Sequence, residues 1–242
     1  MRPIDKGTVP LVNGTSKVVN DYKNWREDLL DRLGDYCCYC NMPLSDSPQV
    51  EHVIAQNLGG SVTDWDNMLL ACGACNRAKS DKPCPNTTHY LPDYHNTHLA
   101  FTHTLVEHPR RNNTFASFLS TQDLPESQHK KAKNTIDLCK LDVETTRIAN
   151  QVTDLRWKFR FEAHLDTKLW RENWNEWGNT KQQKFITLLL TTAKARGFWS
   201  IWFDAFKDVA SIRESLVTQF SGTHQASFDA QFNPIPRNSG DL

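Results

Sequence analysis

The sequence predicts an α+β protein in which a small metal-stapled module is embedded in a mostly helical chain, and three observations predict it. Two Cys-x-x-Cys pairs, Cys37/Cys40 and Cys72/Cys75, form the ligand set of a closed structural zinc site, because one tight turn presents both sulfurs of a pair to the same ion. Two short strand-like runs, Leu99–Val106 and Thr114–Leu119, can pair as a hairpin through 109–113. After Pro125 the apolar residues recur at helical spacing as far as Phe220.

Taken in order, residues 1–19 carry prolines and glycines without periodicity and read as an extended arm. From Asn20 to Leu33, Trp25, Leu29, Leu30 and Leu33 share one face, and Gly34 supplies the stop. This is a packing helix that delivers the chain to the first cysteine pair. The segment 20–84 therefore combines that helix with the metal module. Cys38 lies too close to Cys40 for the usual two-residue gap and reads as a packed thiol. Cys84, just past the module, is a bystander or a substitute ligand.

Between the cysteine pairs lie residues that a plain zinc ribbon does not need: Glu51-His52, Gly59-Gly60 and Asn67, with Asn76-Arg77-Ala78-Lys79 overlapping the second pair's end. This order and spacing resemble the HNH endonuclease motif in its zinc-stapled form. The resemblance implies a ββα-metal fold, a two-stranded hairpin and a short helix around one catalytic divalent ion. It makes His52 the general base, Glu51 and Asn76 the ligands of that ion, and Asn67 the residue that braces the loop. Ala55 departs from the pattern, which often has proline there; the loop loses some rigidity and no chemistry.

The residue types support the same roles. Hydrolysis of a phosphodiester needs an activated water, a Lewis acid and fixed geometry. Histidine, with an ordinary pKa of about 6.5, can take the water's proton at neutral pH. Glu51 and Asn76 offer hard oxygens of the kind Mg²⁺ or Mn²⁺ accepts, leaving positions for water and phosphate. Neighbours on a strand face opposite ways, so Glu51 and His52 can serve one site only where the strand ends or bulges. Asn67 can tie loop backbone together, and Arg77 and Lys79 are expected to meet phosphate. The plainer alternatives are four buried free thiols and a structural histidine; the company of Glu51, Asn67 and Asn76 argues against them.

Residues 85–125 form a loop-rich connection, because Pro83 and Pro85 interrupt any helix running on from Asn76. His89, His95, His98, His103 and His108 crowd this stretch, but their spacing fits no ligand pattern. The predicted hairpin turn carries Arg110 and Arg111. Residues 126–220 form a helical domain: a segment from Glu126 to Leu141, a fresh start at Asp142–Thr146 leading toward Leu165, and two apolar helices at Phe185–Leu190 and Trp199–Phe220, separated at Gly197. The run Arg156–Phe161 mixes bases with aromatics and reads as one buried and one solvated helix side rather than a nucleic-acid face. Trp170, Trp174 and Trp177 form a stripe that reads as core, although a docking surface would use similar residues. From Ser221 to Leu242 the composition predicts a loose tail.

The 242 residues carry 28 basic and 28 acidic side chains, a zero balance that is unusual for a protein gripping nucleic acid unaided. Seven cysteines, four of them assigned to metal, fit a reducing compartment and a cytoplasmic location better than a disulfide framework. No apolar run is long enough to span a bilayer, and the first residues lack the apolar stretch of a signal peptide.

The start Met1-Arg2-Pro3-Ile4-Asp5-Lys6-Gly7, the run Leu33–Cys40, and the segment Thr135–Asp142 followed by Arg147 resemble the PtuB-like HNH nucleases of Septu-type and retron-associated antiphage defence systems. That resemblance implies a PtuA-like ATPase partner, with a retron reverse transcriptase and its RNA–DNA in some systems, which restrains or delivers a nuclease acting on DNA or RNA. The competing expectation is a catalytically inactive, zinc-stabilised subunit that binds nucleic acid or protein. A standalone restriction or homing-type nuclease would need a DNA-reading domain and a basic balance, and neither is visible.

Overall fold

The computed structural model describes residues 1–44, 47–108, 114–142, 154–177, 181–237 and 241–242. Its elements in chain order are β1 (Leu11–Val12), β2 (Thr15–Ser16), α1 (Arg26–Leu33), β3 (Gln49–His52), β4 (Met68–Ala71), α2 (Gly73–Lys79), α3 (Thr97–Ala100), β5 (Phe101–Glu107), β6 (Phe115–Thr121), α4 (Glu126–Cys139), α5 (Arg156–Trp177), α6 (Gln182–Arg196), α7 (Trp199–Ala205) and α8 (Ala210–Gln219). Each of the three sheets has two antiparallel strands, so the protein is α+β with helices dominating. No helix among the described residues is long and apolar enough to cross a membrane.

A 3-10 turn at Tyr22–Trp25 runs into α1, which buries Leu29 and Leu33 and stops at Gly34. There φ is +74°, the left-handed region that glycine enters without steric cost. α1 packs on β4, all four of whose residues are buried. One hydrophobic core joins α1, β3, β4, the cysteine pairs, β6 and α4. A second is built from α6, α7 and α8.

The predicted hairpin is present two residues further along, with Phe101 opposite Thr121 and Glu107 opposite Phe115. Its turn, with Arg110 and Arg111, lies outside the described residues, as do the predicted helix start at 143–146, Arg147 and the side chain of Trp177. Trp170 and Trp174 pack edge-on against Phe185, so this part of the stripe is core. Arg156 and Arg160 are on the buried side of α5, while Lys158 is exposed. The apolar helix expected over Trp199–Phe220 is two helices. Within the break at Phe206–Val209, Asp208 pairs with Arg171 of α5 at 2.5 Å.

The chain ends also differ from expectation. Met1, Arg2 and Ile4 are buried, and Arg2 donates to the carbonyls of Ser221 and Leu33 at 2.7 and 2.9 Å. The stretch after Ser221, expected as loose, is tied down: Asn96 Nδ2 donates to the carbonyls of Ser227 and Ile235, each at 2.8 Å, and the amide of His224 donates to Pro3.

Candidate active site

The cysteine cluster comes first, because it positions everything around it. Cys37 and Cys40 lie in the turn after α1, and Cys72 caps the N-terminus of α2, with Cys75 inside the helix. All four sulfurs lie within 4.8 Å of one another and all four residues are buried. Tetrahedral zinc–sulfur bonds of about 2.3 Å place sulfurs about 3.8 Å apart. The Cys40 and Cys72 sulfurs stand 3.7 Å apart, so the donor set fits zinc. The amide of Cys75 donates to the Cys72 sulfur at 3.4 Å, and contacts from the other three sulfurs hold Cys72 well below the ordinary thiol value.

The remaining thiols behave differently. Burial pushes Cys38 up to about 12 and Cys84 up to about 11. Cys84 donates to the carbonyl of Val53 at 3.2 Å and stays outside the cluster, as does Cys38.

β3 pairs with β4 from Gln49 opposite Ala71 to His52 opposite Met68, and α2 follows one residue after β4. His52 is the last residue of its strand, so the chain turns away just where the two neighbouring side chains diverge. Glu51 goes inward and His52 outward. Tyr22, Glu51, His52, Gln56, Asn76 and Asp81 line a single open cleft.

His52 Nε2 lies 3.0 Å from the carbonyl oxygen of Val62. A carbonyl only accepts, so this nitrogen carries the proton and Nδ1 keeps the lone pair. The side-chain nitrogen of Gln56, Nε2, lies 3.2 Å from the same ring nitrogen. Tyr22 packs its ring against the imidazole, centroids 4.6 Å apart.

Glu51 is 2% exposed. Its Oε2 accepts from the Tyr39 hydroxyl at 2.8 Å. Lys79 Nζ stands 2.5 Å from Oε1, an ion-pair contact that lacks the alignment of a hydrogen bond. Burial pushes the carboxyl up to about 7, against the downward pull of Lys79 and Tyr39. Asn76 Nδ2 donates to Gln49 Oε1 at 2.8 Å, which leaves its own Oδ1 without a hydrogen bond among the described residues. Glu51 and Asn76 thus line one cleft, with Glu51 Oε1 buried against Lys79 and Asn76 Oδ1 without a hydrogen bond among the described residues; both side chains are hard oxygen donors of the kind a divalent cation takes.

Asn67 accepts from the amide of Ile54 at 2.7 Å and donates to the carbonyls of Ile54 and Ser61, each at 2.9 Å. One buried amide therefore closes the loop after His52 on both sides. Gly60 lies inside that loop, where a Cβ would stand 1.8 Å from the carbonyl oxygen of Ile54, so no other residue fits the observed backbone.

The two expected phosphate contacts separate. Arg77 is exposed. Lys79 is 0% exposed and donates to the carbonyl of His52 at 2.7 Å as well as pairing with Glu51. The expectation that Lys79 meets phosphate is corrected: an ammonium turned into the core beneath Glu51 has no face for substrate. Tyr22, Gln49, Tyr39 and Gln56 were not singled out by sequence reasoning, because each acts through a partner distant in sequence or through an ordinary-looking side chain. The five crowded histidines disperse into packing roles, His98 against Trp199 and Phe203 and His103 against His164.

Residues 37–82 match the family model described as HNH endonuclease. No curated protein and no solved structure matches the chain.

Proposed function

We propose that the chain is a metal-dependent endonuclease hydrolysing nucleic-acid phosphodiester bonds, with residues 37–82 as its catalytic module. The observation that carries this reading is the single cleft lined by His52, Glu51 and Asn76 on a ββα unit that matches the HNH model. Glu51, with its carboxylate turned from Lys79 toward the cleft, and Asn76 would hold Mg²⁺ or Mn²⁺. Such an ion would supply Lewis-acid stabilisation of the phosphate and of the departing 3′ oxygen. His52 Nδ1 takes a proton from water as the water oxygen bonds to phosphorus. The bond from phosphorus to the 3′ oxygen breaks, and the products are a 5′-phosphate and a 3′-hydroxyl. Asn67 keeps the loop that carries the Val62 carbonyl in place, and that carbonyl fixes the His52 tautomer. Arg77 binds substrate phosphate from the exposed side of α2, and Lys79 is the counter-ion of Glu51. Zinc on Cys37, Cys40, Cys72 and Cys75 is structural.

The balance of 28 basic and 28 acidic side chains supports a nuclease that relies on a partner for its grip on substrate. The PtuB-like resemblance of the first residues and of Leu33–Cys40 supports an ATPase as that partner and antiphage defence as the setting. A second reading, an inactive binding subunit, is favoured by one observation: both Glu51 oxygens already have neighbours, Tyr39 and Lys79.

His52→Ala decides between them. The folded, zinc-loaded variant is expected to bind Mn²⁺ like the parent and to lose cleavage of DNA or RNA, assayed with and without copurified partner. Undiminished cleavage by His52→Ala overturns the proposal, and a parent that binds neither Mg²⁺ nor Mn²⁺ favours the binding subunit.

A further inference from the structure

His52 is steadied from outside residues 37–82. Ser61, Val62 and Thr63 present consecutive backbone carbonyls, and each meets a side-chain nitrogen from a different part of the chain. The Ser61 carbonyl accepts from Asn67 Nδ2 at 2.9 Å, that of Val62 faces His52 Nε2 at 3.0 Å, and that of Thr63 accepts from Trp25 Nε1 at 2.8 Å. The Val62 side chain is 50% exposed and does not anchor its own peptide. The two flanking carbonyls do. Trp25 is 2% exposed and packs edge-on against Trp65, ring centroids 5.2 Å apart, so its indole N–H is a donor in a fixed place. It ends the 3-10 turn Tyr22–Trp25, whose first residue packs on the His52 ring. One turn ahead of α1 therefore touches the imidazole through Tyr22 and holds the peptide next to its hydrogen-bond acceptor through Trp25.

We infer that Trp25 is a positioning residue for His52: by holding the Thr63 carbonyl it keeps the Val62 carbonyl on His52 Nε2 and leaves Nδ1 free to act as the base. The inference rests on the nuclease reading above. That acceptor has a competitor, because the Gln56 side-chain nitrogen stands 3.2 Å from the same ring nitrogen, and an amide nitrogen donates. A donor there calls for the lone pair on Nε2 and the proton on Nδ1, the tautomer that cannot take a proton from water at Nδ1. The Val62 carbonyl calls for the opposite tautomer and stands closer. Two neighbours thus pull the imidazole opposite ways, and the carbonyl prevails because it is pinned on both sides. Packing alone would be met by any large ring and makes no use of the indole nitrogen.

The full-length, zinc-loaded Trp25→Phe variant removes the donor and keeps a large ring. Two readouts separate positioning from packing: ¹⁵N NMR of the neutral His52 imidazole, which shows which ring nitrogen carries the proton, and cleavage kinetics on DNA and RNA with and without copurified partner. In the parent the proton is expected on Nε2. In Trp25→Phe it is expected to pass largely to Nδ1, and kcat to fall by up to about 100-fold, the cost of a misplacement of about 1 Å, with little change in substrate KM. A folded Trp25→Phe that keeps the parent's tautomer or the parent's kcat overturns the inference and leaves the nuclease reading standing. Undiminished cleavage by His52→Ala overturns both. If Trp25→Phe does not fold, the parent decides: a His52 proton on Nδ1, or a Trp25 indole proton that exchanges with water like a free indole, overturns the inference, and a protected indole proton with His52 protonated on Nε2 supports it.

Discussion

Arg156 donates from Nη1 to the Cys75 sulfur at 3.1 Å, which places the first residue of α5 against a cluster that lies 81 positions earlier in the chain. The same guanidinium pairs with Asp154 at 2.6 Å and donates to the carbonyls of Cys139 and Lys140, each at 3.0 Å. The cysteine cluster, the end of α4 and the start of α5 are therefore one hydrogen-bonded unit. Arg156→Gln strands a buried Asp154, and removing one partner of a buried pair costs about 3–5 kcal/mol. Urea unfolding is expected to show that loss, and zinc release to a chelator is expected to accelerate in the same variant.

Asn67 carries three bonds to loop backbone. At about 1 kcal/mol for each bond, Asn67→Ala is expected to lose about 3 kcal/mol and to speed hydrogen exchange at the Ile54 amide far more than at β4. Exchange unchanged at Ile54 overturns the bracing role.

Lys79 and Arg77 are expected to separate cleanly in mutagenesis. Lys79→Met leaves Glu51 buried without its cation and is expected to destabilise the fold by about 3–5 kcal/mol. Arg77→Ala, on the exposed side, is expected to change stability by less than about 0.5 kcal/mol. It is expected to weaken nucleic-acid binding and to lower the salt dependence of that binding by about one ion. Equal stability effects in the two variants overturn this assignment.

Acid sensitivity follows from three buried imidazoles. Burial lowers His95 and His164 to about 4 and His98 to about 3. Above the unfolded value of about 6.5 neither state takes the extra proton and the full stability is present. Below it the unfolded chain binds protons that the fold refuses, and each histidine removes about 1.4 kcal/mol per pH unit until its folded value is reached. Asp204, 3.4 Å from His98 Nε2, works in the opposite sense, since burial raises it to about 6 and the fold takes up its proton first. Between pH 6.5 and 4.5 His103, which burial holds well below the ordinary value, adds to the loss, while Glu51, raised to about 7, and Asp93, also raised, offset part of it together with Asp204. Urea midpoints across that range are expected to fall, and His164→Gln is expected to lose less over the same interval than the parent.

What the sequence made legible is what short-range geometry decides. Cys-x-x-Cys spacing fixes where two sulfurs can point, so the cluster of Cys37, Cys40, Cys72 and Cys75 could be read directly. Gly34 ends α1 where expected, and the 101–121 hairpin lies within two residues of its predicted place. Burial set by distant partners was not legible. Lys79 reads as a solvent-facing base until Glu51 is seen beside it, and the run Arg156–Phe161, read as one buried and one solvated helix side, does not say that the arginines take the buried side until α5 meets the cluster. The break between α7 and α8, at Phe206–Val209, carries no proline or glycine to announce it. The packing of residues after Ser221 depends on Asn96, whose side chain was free in sequence to do anything.

Asn41 is the point where the first residues and the start of α7 meet the first cysteine turn: its Oδ1 accepts from the amide of Arg2 at 2.9 Å and its carbonyl accepts from the amide of Phe198 at 2.8 Å. The approach at Phe198 is possible because Gly197 has no Cβ, which would stand 2.7 Å from that same carbonyl oxygen. During synthesis the first of these contacts becomes available early and the second only after Phe198 has left the ribosome. Until then the turn bearing Cys37 and Cys40 is latched on one side alone. A chain truncated before Phe198 thus holds all four sulfurs without the contact that Phe198 makes to the first cysteine turn.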